Sequence, residues 1–199
     1  MQHLESFRIQ NLEHLEKLVA MQDHCILEIG FGNGDNTLHL ANENPNALIV
    51  ASEVYRSGIG SLLSGITERK LQNIYIFDED IRELLLAVNK PIFDQVFIIC
   101  PDPWRKTRHH KRRLISQTFL ETLHLNLKPK ATVYLSTDWE NYAESMEEEI
   151  LKCSTIFSYE QITNAGMPIT RFQARAMREG RDICTFLLTS LEEKFDRLV

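Results

Sequence analysis

No apolar run in this chain approaches the roughly 18 residues that a membrane-spanning helix needs. Its opening, Met1-Gln2-His3-Leu4-Glu5-Ser6-Phe7, has neither a basic leader nor an apolar segment, so no secretory signal and a cytoplasmic location are expected. Cysteine is scarce: Cys25, Cys100, Cys153 and Cys184 stand far apart, with no zinc or redox spacing, which predicts reduced thiols. The seven histidines show no metal-binding spacing either, and no metal is expected. No internal repeat, low-complexity stretch or Gly/Ser-rich linker divides the 199 residues, a length that suits one domain, residues 1–199, with 1–24 packed on it as a leading helix.

Acidic side chains are what residues 105–113 lack. The chain is net −6, yet this tract holds six lysines or arginines and no carboxylate, so the remaining residues sum to −12. Overall acidity disfavours a protein that coats nucleic acid on every side, whereas a single-sign block suits one that meets a polyanion along one edge. Lys106, Arg108, Lys111, Arg112 and Arg113 are candidates for phosphate contact, and the interleaved His109 and His110 for stacking on RNA or hydrogen bonding to it. Directly before the tract stand Val96-Phe97-Ile98-Ile99-Cys100, a strand suited to burial on both faces, and then Pro101-Asp102-Pro103-Trp104. The two prolines end the ladder, because each lacks an N–H and fixes φ. Asp102 is thereby held at a strand tip with an indole two residues on. That is either a Pro-rich turn over a buried Trp or a place for chemistry on something flat and electron-rich.

Leu12, Leu15, Leu18 and Val19 recur at helical spacing, which predicts an amphipathic helix over residues 7–20. Cys25-Ile26-Leu27-Glu28-Ile29 predicts a strand running into Gly30-Phe31-Gly32-Asn33-Gly34, with Asp35 and Asn36 placed to cap the next helix. Strand, glycine turn and helix start together make a nucleotide-type crevice. A dinucleotide fingerprint would need its third glycine where Asp35 stands, and a carboxylate there opposes a pyrophosphate, so a dehydrogenase falls. The G-x-G-x-G spacing of Gly30, Gly32 and Gly34, with Glu28 before it as an acidic lip, favours a cationic or amino-bearing cofactor.

Leu48 to Glu53 predicts a second strand, and Glu53 falls about twenty residues beyond the turn, where a ribose hydroxyl is met. A helix from Ser57 to Arg69 and a strand from Ile74 to Phe77 follow. Asp80 opens the helix Ile81 to Val88, as its N-cap or as a contact to an adenine edge. Glu28, Glu53, Asp80 and Asp102 thus mark the carboxyl ends of four strands, the edge along which open α/β sheets bind ligands. Leu114 to Leu127 predicts a helix, Ala131 to Ser136 a fifth strand and Trp139 to Leu151 a helix, which Asp138 caps unless it touches substrate. Phe157 to Ile162 and Ile183 to Leu188 read as the last strands; between them Arg171, Arg175 and Arg178 share a face if the connection is helical. The fold class is α/β: a Rossmann-like, seven-stranded, mostly parallel sheet with helices on both faces.

In order, Leu27-Glu28-Ile29-Gly30-Phe31-Gly32-Asn33-Gly34, Glu53-Val54, Pro101-Asp102-Pro103-Trp104 with Lys106 and Arg108 to Arg113, Thr137-Asp138-Trp139, and Thr170-Arg171-Phe172 resemble the tRNA (guanine-N7)-methyltransferases over about residues 25–190. The resemblance implies a class I S-adenosylmethionine-dependent methyltransferase, S-adenosylmethionine as cofactor, and a variable-loop guanosine of tRNA as acceptor. It carries cofactor binding onto Glu28, Glu53, Asp80 and Asp102, with the glycines Gly30, Gly32 and Gly34, and substrate binding onto Lys106, Asp138, Thr170, Arg171, Phe172 and Gln173. Asp102 also matches the position assigned as catalytic. Two departures stand out: the usual Thr-Lys-Phe-Glu reads Thr170-Arg171-Phe172-Gln173, and the usual Arg-Gly reads Arg175-Ala176. The first exchanges a carboxylate for an amide, which both donates and accepts. The partner expected is tRNA, for a monomer or homodimer that touches no membrane. An amino-methyltransferase acting on adenine or cytosine would show Asp-Pro-Pro-aromatic instead, and a non-catalytic RNA-binding member of the fold is the alternative outside enzymes.

Overall fold

In the computed structural model, which describes residues 2–163, 169 and 171–191, the side chains of 2, 3, 171 and 172 excepted, the apolar runs pair into one seven-stranded sheet. Its strands are β1 (His24–Ile29), β2 (Ala47–Ser52), β3 (Ile74–Phe77), β4 (Phe93–Ile99), β5 (Leu127–Thr137), β6 (Phe157–Gln161) and β7 (Cys184–Ser190), in the order β3-β2-β1-β4-β5-β7-β6. The first five pair in parallel, and β7 runs antiparallel to both β5 and β6. Strand order reverses between β1 and β4, where Leu27 pairs with Val96 and Ile29 with Ile98, and a crevice opens beyond their carboxyl ends.

The helices are α1 (Gln2–Glu5), α2 (Leu12–Ala20), α3 (Asp35–Glu43), α4 (Arg56–Arg69), α5 (Ile81–Val88), α6 (Gln117–His124), α7 (Glu140–Lys152) and α8 (Arg171–Arg178). Alternation along each strand sends side chains to two faces. Cys25, Leu27 and Ile29 of β1 join Leu84, Leu85, Phe119, Leu120, Tyr142 and Met146 of α5, α6 and α7. Ile26 joins Leu38, Leu40, Ile59, Leu62 and Ile66 of α3 and α4 on the opposite face. Each such buried side chain contributes about 1.5–3 kcal/mol. By the same alternation Glu28 points toward α3, which decides its role. All four cysteines are free, with Cys25 and Cys153 buried. Among the described residues no helix is long and apolar enough to cross a membrane.

The structure departs from the periodicity in two regions. The leading helix begins at Leu12, with Asn11 accepting from the His14 N–H at 2.8 Å, because Phe7 to Ile9 pair with β3 instead: Ile9 N–H donates to Ile76 O at 2.9 Å and Ile76 N–H to Phe7 O at 2.6 Å. The helix expected over Leu114 to Leu127 is shorter at both ends, Gln117–His124, and β5, expected from Ala131, starts at Leu127. There Asn126 Nδ2 donates to Thr122 O at 2.9 Å and to Leu85 O at 3.1 Å, closing the helix, and Lys130 at φ +65 carries an irregularity into the strand.

Candidate functional site

The glycine turn after β1 is built on left-handed backbone that only glycine takes without strain: φ is +73 at Gly30, +57 at Gly32 and +83 at Gly34. Gly30 N–H donates to Ser52 O at 2.8 Å, tying the turn to β2. Glu53, just past β2, grips the turn through its side chain. Its Oε2 accepts from Gly32 N–H at 3.0 Å, while Oε1 accepts from Val54 N–H at 2.8 Å and Tyr55 N–H at 3.0 Å. The helix cap differs from the expectation, since Gly34 is the N-cap of α3 and no side chain caps it.

Asn36 has a different task. Its Nδ2 donates to Glu28 Oε1 at 3.1 Å, and the Thr37 hydroxyl donates to Glu28 Oε2. Glu28 is 2% exposed, so it forms the floor beneath the turn rather than an acidic lip. Burial pushes its carboxyl up to about 7, against the pull of the hydrogen bonds from Thr37 and Asn36.

The strand tip after β4 borders the same hollow. Glu28, Gly30, Gly32, Asn33, Asp35 and Glu53 line a cavity of about 670 Å³ together with Cys100, Pro101, Asp102, Pro103, Trp104, Arg105 and Arg112. Asp102 is exposed, and its Oδ1 accepts from Trp104 N–H at 3.0 Å. Trp104 is covered by Arg112, 4.9 Å from its ring, and edged by His109 at 5.8 Å. Arg105 lies 4.4 Å over Trp139. Burial pushes the Cys100 thiol up to about 12, which leaves it an inert wall.

The basic tract folds as a 3-10 helix, Thr107–Arg112, with Lys106 before it. Lys106, Arg108, Lys111 and Arg112 are exposed, while His109 and His110 are half-buried. Arg108 donates to the His109 ring at 3.3 Å, and His110 Nε2 is shut from solvent without a partner. Arg113 is spent on the fold. It donates from Nε to Pro103 O at 3.0 Å and from Nη2 to Asn141 Oδ1 at 2.8 Å, and it lies over Tyr142 at 4.7 Å.

Asp80 caps α5, accepting from Arg82 N–H at 3.0 Å, and is paired with the Arg82 side chain. It borders a second hollow of about 710 Å³ that shares Gly30, Glu53, Val54, Arg112 and Leu114 with the first. Asp138 is drawn into the first cavity's wall, where Arg181 Nη1 meets its Oδ2 at 3.0 Å. Gln173 is buried on α8; Thr170 lies outside the described residues, as do the side chains of Arg171 and Phe172. Arg181 and Arg105 are lining residues that the sequence reading passed over. Arg105 opens the basic tract and was open to detection, whereas nothing local marks Arg181. Among the described residues no cluster of three His, Cys, Asp or Glu side chains is placed to hold a metal ion.

Residues 22–186 match the family model described as "Putative methyltransferase". The tRNA (guanine-N(7)-)-methyltransferase of Nitrosococcus oceani is 39% identical over 175 residues, covering 85% of this chain and 73% of that protein. The protein of the same name from Wolbachia pipientis is 34% identical over 184 residues, covering 92% and 83%. A solved rRNA methylase from Streptococcus thermophilus shares the fold, with a TM-score of 0.60 at 14% identity over 92% of this chain and 99% of that one. With its glycine turn, its acid-tipped strands and these relatives, the chain belongs to the tRNA (guanine-N7)-methyltransferase family.

Proposed function

We propose that the chain methylates N7 of a guanosine in tRNA, in the variable loop, with S-adenosylmethionine as donor and the cytoplasm as its place of work. The family membership supports the reaction. The observation that carries the site is that one cavity is bordered both by the glycine turn with Glu28 and Glu53 and by Asp102 and Trp104.

The donor fits these residues. Gly58 comes so close that a Cβ there would stand 2.0 Å from Gly32 O, so the turn is shaped as a cradle against α4. Carboxylates around it suit an ammonium and a sulfonium better than a phosphate. Glu53, Gly30 and Gly32 would hold the donor, with Glu28 fixing the floor and Asp80 bordering the adjoining hollow. When bound, S-adenosylmethionine supplies an electrophilic methyl group.

Guanine N7 carries an in-plane lone pair and no proton, so the site needs no strong base. It needs alignment and stabilisation of the positive charge that the purine acquires. Asp102, at the cavity mouth, supplies negative potential and an acceptor; Trp104 offers a face to a purine. Lys106, Arg108, Lys111 and Arg112 meet phosphates on the adjoining exposed ledge. The test is incubation of purified protein with tRNA and methyl-labelled donor, followed by nucleoside analysis. Label in 7-methylguanosine is expected. Label on an adenine or cytosine amino group, or none despite donor binding, would overturn the reading.

A further inference from the structure

Asp138 just past the end of β5 and Arg181 just before the start of β7 meet beyond the point where these antiparallel strands pair, Thr137 with Cys184, on the wall of the cavity that holds Asp102. Arg181 Nη1 is 3.0 Å from Asp138 Oδ2 and its Nη2 is 2.7 Å from Glu179 Oε2, while its Nε is shut from solvent without a partner. The pair is largely buried, with the two side chains 22% and 18% exposed. Glu179 in turn takes Arg175 Nε at 2.8 Å. Charges of alternating sign therefore run from the β5 tip to α8 as Asp138, Arg181, Glu179 and Arg175, and Asp138, Arg175 and Arg181 all border the cavity.

We infer that Arg181 is a positioning residue for base selection: by holding Asp138 Oδ2 it presents Oδ1 to the Watson–Crick edge of the guanine whose N7 is methylated. The inference rests on the guanine-N7 reading above. Guanine offers two donors on that edge, N1–H and the exocyclic amine, where adenine offers an acceptor in place of N1–H; N7 lies on the opposite edge. A carboxylate therefore accepts from guanine and rejects adenine, provided its oxygens are fixed and charged. A planar guanidinium engaging two carboxylates does the fixing, and its fork keeps the contact to Asp138 while Glu179 holds its other arm. Had Arg181 served only to pin the turn before β7, any side chain of similar packing would do.

The test uses the full chain and tRNA transcripts carrying guanosine or inosine at the acceptor position, since inosine keeps N7 and N1–H and loses only the amine. Arg181→Met, Asp138→Asn and the double variant are compared by kcat/KM, with melting temperature as the folding control. The wild type is expected to prefer guanosine by about tenfold or more, as a charged hydrogen bond warrants. Arg181→Met should lower kcat/KM by about 30-fold and shrink the preference below about threefold, with the double variant no worse than Asp138→Asn alone. Arg181→Lys, which can still reach Asp138, should recover part of the preference, and it carries the comparison if the methionine variant does not fold. Full preference in the Arg181 variants, or additive losses, would overturn the inference while leaving guanine methylation in place. A wild type that transfers no methyl group to tRNA would overturn the underlying reading instead.

Discussion

Replacing Gly58 by alanine probes whether the glycine crevice depends on backbone approach. Gly58 is buried in the first turn of α4, and a Cβ built there would stand 2.0 Å from the Gly32 carbonyl oxygen and 3.0 Å from its carbon. Ordinary contact begins at 3.4 Å, so turn and helix must part by about 1.4 Å, and the obstacle is backbone that cannot rotate aside. Overpacking of this kind costs about 1–3 kcal/mol, while alanine in a helix returns about 1 kcal/mol over glycine. The fold is therefore expected to survive with a melting temperature a few degrees lower. Binding suffers more, because Gly32 N–H is held by Glu53 Oε2 at 3.0 Å and displacement of the turn carries to that carboxylate. Each 1.4 kcal/mol is tenfold in affinity, and a loss of at least about tenfold for S-adenosylmethionine is expected by titration calorimetry. Gly60 supplies the control: it lies two residues on in the same helix, is exposed, and has nothing within 4 Å of a built Cβ. Gly60→Ala should gain up to about 1 kcal/mol of stability and bind as the wild type does. Unchanged donor affinity in Gly58→Ala would refute the cradle.

Glu28 makes stability depend on pH. Its carboxyl titrates at about 7 in the fold against 4.5 when exposed, so the native state holds the extra proton between those values. Stability then falls as pH rises through that window and levels off above it, by at most about 3 kcal/mol from this group. Denaturant unfolding at about pH 5 and about pH 7.5 should show the fall in the wild type and a flatter response in Glu28→Gln; equal slopes would count against the buried titration. Asp102 is exposed, so Asp102→Asn should leave stability within about 0.5 kcal/mol while lowering kcat by about a hundredfold; near-normal turnover would remove it from the chemistry. Lys111→Ala should reduce the salt slope of tRNA binding by about one with no change in melting temperature. Arg113→Ala should instead cost about 1–3 kcal/mol of stability, because its donors to Pro103 O and Asn141 are lost. A stability equal to wild type would show that Arg113 anchors nothing.

What the sequence made legible is what local pattern determines. Apolar runs located six of the strands within a few residues, β6 being the polar Phe157-Ser158-Tyr159-Glu160-Gln161, and the spacing of Gly30, Gly32 and Gly34 anticipated a turn whose three φ values are all positive. The illegible parts depend on distant pairing. Phe7 to Ile9 carry a helical pattern with the residues that follow, yet they extend beside β3, more than sixty positions away. Arg181 meets Asp138 only because β7 inserts antiparallel beside β5, and no local feature announces that order. Charge identity was equally silent on function within the tract. Lys111 and Arg113 read alike as cations, but only the second finds carbonyl and amide acceptors on the neighbouring loop and helix. Glu28 follows a rule that is legible in principle: an acid inside a strand apolar on both sides must be buried and bonded, which Asn36 and Thr37 accomplish.

The adjacency of Pro101-Asp102-Pro103-Trp104 and the basic tract has a mechanical reason as well as an electrostatic one. Cys100 at φ +49 and Trp104 at φ +44 bracket Asp102 in left-handed backbone, and neither is glycine. Such residues cost about 1–3 kcal/mol each and persist only where surroundings hold them. The holding comes from two directions. Cys100 N–H donates to Ser136 O at 2.9 Å on β5, fixing the near end of the tip. The far end is fixed by the tract itself, which folds back so that Arg113 reaches Pro103 O at 3.0 Å while Arg112 and His109 enclose the Trp104 ring. Cations needed only for attraction could sit on any exposed helix. Placed here, Arg112 borders the cavity and lies over the Trp104 ring, so the cationic tract is itself part of the cavity wall. One segment therefore both supplies the cation on the cavity border and ties down the tip that carries Asp102, because Arg113, half-buried, stays bonded to Pro103 O.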